Sequence, residues 1–260
     1  MNEYTNREIM AICAGRLIKD GDVVFAGTGI SMLAAVVAKH IHAPRSVVFF
    51  ETGGLDPCLD ELPLAVADPR VMAGTSVNCS LAEALSLLGH PKLRAIAFLG
   101  AAQIDRFGNL NSTLLGDYAR PKARFPGSGG AADAASLAAG VIVFMEHERH
   151  RFVERLDYLT SLGWACGGDS RQRLGFRRGG PLAVVTNLGL LKFDAQTKAI
   201  YLSEHYPGIS PVEIKAQTGF ELDVSKSVES LPPTAQELAI LRQKVDPQRL
   251  ILDKAPGRGA

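Results

Sequence analysis

The first half of the chain alternates between short apolar runs and longer segments with helical spacing of apolar residues. Residues 23–26 and 46–50 are short apolar runs typical of buried strands. Residues 30–42 between them are apolar on nearly all sides, which is typical of a buried helix. Because strand, helix and strand in this order build a parallel sheet, the pattern predicts an α/β fold with an open, mostly parallel sheet flanked by helices.

Capping patterns mark the starts of two helices. Thr5 precedes Glu8 by three residues, and Ser80 precedes Glu83 by the same spacing. In each pair the two side chains can bond each other's backbone N–H groups, and apolar residues at helical spacing follow. We therefore expect a helix after each pair, the second ending near Leu88, followed by a third strand at residues 95–99.

The pattern weakens after residue 100. Residues 100–112 show neither helical nor strand spacing and are rich in turn formers. Residues 127–130 form a glycine-rich loop that opens into a helix of small residues, and a strand is predicted at 141–145. The remaining predicted elements are strands at 152–159 and 182–186 and helices at 211–217 and 235–244.

Composition and charge restrict the functional classes. The 260 residues are 47% hydrophobic and 21% charged, with no repeat or linker, which predicts a single domain over residues 1–260 with a short frayed tail, APGRGA. The formal net charge is +1 and no run of like charges occurs, so we expect neither a nucleic-acid nor a membrane partner.

Cysteine usage and the apolar segments point to the cytoplasm. The four cysteines show no CxxC spacing, which argues against structural zinc and a disulfide framework. The N-terminal residues lack an apolar core of signal length, and the longest apolar run, residues 134–145, is too short to span a bilayer. We expect a soluble, cytoplasmic protein.

A carboxylate lies at the carboxyl end of a predicted core strand. Glu51 directly follows the apolar run 46–50 and precedes Thr52, Gly53 and Gly54. Ligands of open α/β sheets bind beyond the carboxyl ends of the strands, and the small residues leave room for a ligand to approach the carboxylate. The alternative is that Glu51 caps a turn or forms a surface ion pair.

The glycine-rich loop at residues 127–130 is a second candidate. Backbone N–H groups of a glycine turn before a helix can hold an anion or an oxyanion. Close packing of a helix on a strand would require the same small residues, so both interpretations stay open.

Three other motifs carry weaker signals. The glycine turn at residues 27–29 resembles a dinucleotide-binding turn but lacks its third glycine, although Glu51 lies at a compatible distance. His147 and His150 are three residues apart after a strand, whereas the zinc motif needs them four apart on a helix. Cys58 has no cationic sequence neighbours that would activate its thiol.

Several stretches form a specific pattern in chain order. They are TNREIMAICAGRLIKDGDVVFAGTG, ETGGLD, AQIDRFGNLNST, GDYARPKARFPGSGGA, and FDAQTKAIYL with TGFELDVS. Together they resemble the β subunit of the family I coenzyme A (CoA) transferases, and the glutaconate CoA-transferase type in particular. The resemblance covers nearly the whole chain.

The resemblance implies a mechanism and a set of site residues. The family forms a glutamyl-CoA thioester on a glutamate of the β subunit, and that role falls on Glu51. The resemblance also implies an α subunit as partner, in an α2β2 or larger assembly, acyl-CoA and carboxylate substrates, and neither a metal nor a cofactor. The implied oxyanion or substrate-binding residues are Gly129, Gly130, Gly53, Gln103, Asn109 and Ser112.

The expected function is transfer of CoA from an acyl-CoA to a carboxylic acid, with dicarboxylic acids among the candidates. One alternative is a CoA-thioester hydrolase or decarboxylase of the same fold in a catabolic pathway. Another is a non-catalytic partner subunit. Glu51 in the family's position favours transfer over decarboxylation or hydrolysis, and the non-catalytic alternative stays open.

Overall fold

The helices of the computed structural model are short and spread along the whole chain. The structure describes residues 4–59, 61–176 and 178–253, so the predicted frayed tail lies outside the described residues. The helices are α1 (Asn6–Gly15), α2 (Ile30–Ile41), α3 (Leu81–Leu88), α4 (Ala131–Leu137), α5 (Ser170–Arg173), α6 (Pro211–Ala216) and α7 (Ala235–Ile240). A 3₁₀ turn at Pro69–Met72 and a π-helical turn at Leu241–Val245 complete the helical elements of the described residues.

The strands of the described residues are two to six residues long. They are β1 (Val23–Phe25), β2 (Val47–Phe49), β3 (Gly54–Leu55), β4 (Val77–Asn78), β5 (Ala95–Gly100), β6 (Gln103–Ile104), β7 (Leu110–Asn111), β8 (Leu114–Gly116), β9 (Pro121–Arg124), β10 (Gly140–Phe144), β11 (Pro181–Val185), β12 (Gly189–Phe193), β13 (Ile200–His205) and β14 (Val228–Glu229).

The described residues form two compact units, 4–99 with 233–253, and 100–232. In the first unit the strand order is β5-β1-β2-β3-β4, with β1 parallel to β2 and β5, and antiparallel pairing beyond β2. In the second the order is β10-β11-β12-β13-β14, with parallel pairs at both ends and antiparallel pairs between them. The predicted open α/β sheet flanked by helices is confirmed, and the single-domain assignment stays a prediction.

Local sequence signals explain the first unit. The predicted capping boxes at Thr5 and Ser80 are both present. Glu8, the capping partner of Thr5, is fully buried and also accepts a hydrogen bond from Arg242 at 2.7 Å. Burial alone would raise the pKa of Glu8, but the bonds from Arg242 and from Thr5 outweigh it and lower the pKa to about 2. This buried ion pair ties α1 to the C-terminal segment.

The second unit departs from the sequence-based expectations. Residues 100–112 contain the hairpin β6–β7, although no strand pattern predicts it. The predicted strand at 152–159 is wrong. Phe152 forms one isolated bridge, to Ile104, and residues 153–159 form no strand. The strands β12 and β13 were not predicted either. Within the described part of the chain, no helix is long and apolar enough to cross a membrane.

Candidate active site

Glu51 lies on a tight turn just beyond the carboxyl end of β2. The Phe50 N–H donates to the Gly54 carbonyl at 3.2 Å, and the Gly53 N–H donates to the Phe50 carbonyl at 3.0 Å. Because β2 runs parallel to β1, this turn stands at the edge where ligands of α/β sheets bind. The predicted position of Glu51 is therefore the observed one, and its side chain is half-buried.

The Glu51 carboxylate has no bonding partner among the described residues. It forms no hydrogen bond and no ion pair with any residue that the structure describes. Asp56, five residues further on, is paired with Lys39 at 2.5 Å. A half-buried carboxylate without a partner keeps both oxygens available for chemistry, which distinguishes Glu51 from its structural neighbour.

Two further polar groups at this turn are the Thr52 hydroxyl and the thiol of Cys79. The Thr52 hydroxyl is buried and has no hydrogen-bond partner among the described residues. The Cys79 thiol donates to the Gly53 carbonyl at 3.4 Å, and burial raises its pKa, as does the nearby charge of Glu83. A thiol held in its neutral form is a poor nucleophile, so the chemistry of this turn favours the Glu51 carboxylate over the Cys79 thiol.

The small residues after Glu51 have a packing role. Gly53 has φ +99°, and a β-carbon on it would overlap the Cys79 carbonyl. A β-carbon on Gly54 would overlap the Val71 carbonyl. The sequence suggested that these glycines admit a ligand, and the structure adds that the neighbouring backbone requires them. The substrate-binding role of Gly53 stays a prediction.

The glycine turn at residues 127–130 is anchored by Ser112. The Ser112 hydroxyl donates to the Gly127 carbonyl at 2.9 Å, and the Gly127 N–H donates to the Ser112 carbonyl at 3.1 Å. The N–H groups of Gly129 and Gly130 donate to no acceptor in the described residues. Gly129 has φ +49° with open space where a β-carbon would stand, so no close packing explains it. These two adjacent free donors favour the oxyanion interpretation of the turn.

The Gln103 side chain forms hydrogen bonds with two other segments of the second unit. Its side-chain oxygen accepts from Asn111 at 2.7 Å and from the Asp157 N–H at 3.1 Å, and its amide group donates to the Asp157 carboxylate at 3.1 Å. Asn111 in turn donates to the Leu114 carbonyl at 2.7 Å. Asp157 did not stand out in the sequence, because its bond from Gln103 joins residues about fifty positions apart.

The side-chain amide of Asn109 makes its hydrogen bonds within the protein. Its amide group donates to Asp105 at 2.7 Å and to the Ala165 carbonyl at 2.8 Å, and its oxygen accepts from the Gly163 N–H at 2.8 Å. A side-chain amide has two N–H donors, and both are used. The geometry therefore favours a positioning role for Asn109 over direct contact with a substrate.

His147 belongs to the packing of the second unit. Its ring stacks on Phe152 with centroids 4.0 Å apart, and Nε2 lies 3.0 Å from the Thr218 hydroxyl. Burial lowers the pKa of His147 to about 3. Among the described residues no group of three or more His, Cys, Asp or Glu side chains is placed to hold a metal ion. Cys58 is exposed on a loop.

His147 makes the stability of the protein depend on pH. Below its unfolded-state pKa of 6.5 the unfolded chain binds a proton that the folded chain excludes until about pH 3, so the free energy of unfolding falls as the pH drops through this window. The expected contribution is about 1.4 kcal/mol per pH unit. In urea unfolding between pH 6.5 and 5, we expect the slope of His147→Gln to be smaller than that of the natural protein by up to this amount.

The exposed His150 provides the control. The control variant is His150→Gln, because the His150 side chain is 68% exposed. An unchanged slope in His147→Gln would show that His147 is protonated in the folded state.

Known proteins share the sequence pattern and the fold of this chain. The family model described as "Coenzyme A transferase" matches residues 7–217, which include Glu51 and the glycine turn. The chain belongs to the coenzyme A transferase family. It is 43% identical to the B subunit of glutaconate CoA-transferase from Acidaminococcus fermentans, over 94% of this chain and 93% of that protein.

Two further relatives agree with this assignment. The chain is 33% identical to the B subunit of 3-oxoadipate CoA-transferase from Pseudomonas knackmussii, over 93% of this chain and 94% of that protein. It superimposes on the crystal structure of glutaconate coenzyme A-transferase from Acidaminococcus fermentans with a TM-score of 0.93 and 41% identity, covering 97% of this chain and 99% of that one. The resemblance found in the sequence is thereby confirmed as family membership, and the fold is that of a CoA transferase subunit.

Proposed function

We propose that this chain is the β subunit of a heteromeric CoA-transferase and that Glu51 carries CoA as a glutamyl thioester. The observation that supports the role of Glu51 is its carboxylate, which is half-buried, stands beyond the end of β2 and has no partner in the described residues. A nucleophile of this kind must be reachable and incompletely solvated.

The chemistry needs a carboxylate and no base. A Glu51 oxygen attacks the thioester carbonyl, the carbon–sulfur bond breaks, and CoA leaves as a thiolate with a mixed anhydride on the enzyme. The thiolate then attacks the Glu51 carbonyl and releases the donor's carboxylate, which leaves a glutamyl-CoA thioester. The acceptor acid repeats both steps in reverse. No proton is transferred and nothing is oxidised, so an isolated carboxylate is sufficient.

The oxyanions formed in each attack need hydrogen-bond donors. We assign this role to the N–H groups of Gly129 and Gly130, because both lack an acceptor in the described residues. Ser112 supports the turn from the other side through its two bonds to Gly127. We assign Gln103 and Asn109 to shaping the wall of the substrate pocket, since their side chains bond to other residues of the protein.

The partner is an α subunit, since the relatives with 43% and 33% identity are both B subunits of CoA-transferases. We extend this to an α2β2 or larger assembly in the cytoplasm, with acyl-CoA and short carboxylic acids as substrates and no cofactor. The acids in the relatives' names are glutaconate and 3-oxoadipate, so dicarboxylic acids are the first acceptors to test.

The test of this function is the dependence of CoA release on an acceptor acid. The chain is co-purified with its α subunit and supplied with glutaconyl-CoA and a second carboxylic acid. We expect the CoA thioester of the second acid to appear with ping-pong kinetics, and little free CoA without an acceptor. Release of free CoA at the same rate without an acceptor would instead identify a hydrolase.

A further inference from the structure

The hairpin β8–β9 extends directly from the glycine turn. The Phe125 N–H donates to the Thr113 carbonyl at 2.9 Å, so the antiparallel pairing of β8 and β9 continues down to Ser112 and Gly127. Arg120, at the tip, precedes Gly127 by seven residues. At about 3.3 Å per residue the hairpin therefore reaches about 23 Å from the turn, which is comparable to the length of an extended CoA.

One face of this hairpin is cationic and aromatic. Lys122 and Arg124 are exposed and alternate along β9, so their side chains share a face. The guanidinium of Arg124 lies over the Tyr118 ring, 5.2 Å from its centroid. Tyr118 stacks on Tyr158 with centroids 5.8 Å apart, and yet 62% of Tyr118 stays exposed. Arg120 is exposed at the tip beside them.

The cations of this face have no ion-pair partners among the described residues. No carboxylate of the described residues forms an ion pair with Arg120, Lys122 or Arg124. The nearby Asp117 accepts the backbone N–H groups of Ala119 and Arg120, which stabilises the tip of the hairpin. An exposed tyrosine pair bordered by three cations without carboxylate partners is suited to a ligand that has both an aromatic base and several phosphates.

We propose that the β8–β9 hairpin binds the 3′-phosphoadenosine diphosphate end of the CoA thioester. The adenine packs against the exposed Tyr118–Tyr158 pair, and the phosphates pair with Arg120, Lys122 and Arg124. The distance from the glycine turn then sets the position of the thioester. This inference rests on the proposed function, because it names the part of that substrate which the hairpin recognises.

The test compares ligands that contain or lack this end of CoA. Calorimetric titration of the complex with CoA, 3′-phospho-ADP and pantetheine is performed for the natural protein and for a Lys122→Ser/Arg124→Ser double variant. We expect the double variant to bind CoA and 3′-phospho-ADP at least about tenfold more weakly, since charge-assisted bonds are lost, and to bind pantetheine equally well. Lys122→Ser alone removes no side-chain hydrogen bond of the described residues and should weaken CoA binding in the same direction, by about threefold.

Lys226 provides a matched control, because it is also an exposed cation over a tyrosine, 5.4 Å from the Tyr201 centroid. Lys226→Ser should bind CoA like the natural protein. Unchanged CoA affinity in the double variant, or an equal loss for pantetheine, would overturn the inference. Loss of assembly with the α subunit would overturn it as well and identify the hairpin as an interface between the two chains. A complex that binds CoA through the hairpin but transfers none would refute the proposed function alone.

Discussion

We expect Glu51→Gln to lower the rate of CoA transfer by at least about a thousandfold while the protein stays folded. The amide keeps the shape of the side chain but has no anionic oxygen to attack a thioester. Because the Glu51 carboxylate bonds to nothing in the described residues, the free energy of unfolding should change by no more than about 0.5 kcal/mol. The measurements are initial rates of transfer by the co-purified complex and its thermal unfolding.

A shorter carboxylate tests the position of the nucleophile separately from its charge. Glu51→Asp withdraws the oxygens by about one bond length, and a misplacement of about 1 Å costs on the order of a hundredfold in rate. Glu61→Gln serves as the control, since Glu61 is an exposed carboxylate nearby whose ion-pair partner is Arg70 at 3.4 Å. Full transfer by Glu51→Gln would assign the catalytic role elsewhere and leave this chain as a non-catalytic partner subunit.

Gly53→Ala is expected to produce the largest loss of stability in the Glu51 turn. The residue has φ +99°, which disfavours any side chain, and the added β-carbon would overlap the Cys79 carbonyl. Positive φ alone costs about 1–2 kcal/mol. Because the overlapping atom belongs to the backbone and cannot rotate away, the total loss should reach about 3 kcal/mol or more. Denaturant unfolding measures it, and transfer activity should fall as the turn moves.

Gly29 separates the two causes of this loss. Its φ is +101°, close to that of Gly53, but nothing lies within 4 Å of where its β-carbon would stand. Gly29→Ala should therefore cost only the backbone strain. Equal losses in the two variants would show that the contact with Cys79 contributes nothing to the stability of the turn.

The local signals in the sequence predicted the elements that depend on neighbouring residues. The capping pairs at Thr5 and Ser80 begin helices as expected, because both partners lie within one turn of the helix. The apolar run before Glu51 forms a strand, and the carboxylate stands beyond its end. Glu51 could thus be placed from the sequence alone.

Long-range contacts explain what the sequence did not predict. The need for glycine at position 53 comes from Cys79, 26 residues away, and only the folded chain brings that carbonyl close. The hairpin β6–β7 has polar residues because Gln103 and Asn111 bond each other inside the protein, which removes the apolar alternation of an ordinary strand. The predicted strand at 152–159 failed because Phe152 packs against His147 and forms only a single bridge, to Ile104, while the residues after it pair with no strand.

The central claim is that Glu51 carries CoA, and trapping the intermediate tests it most directly. The complex is incubated with acyl-CoA in the absence of an acceptor acid and reduced with borohydride, which converts a glutamyl thioester to an alcohol. Peptide mass spectrometry should then find the modification on Glu51, and nowhere in Glu51→Gln. An unmodified Glu51 in a complex that still consumes acyl-CoA would contradict the account.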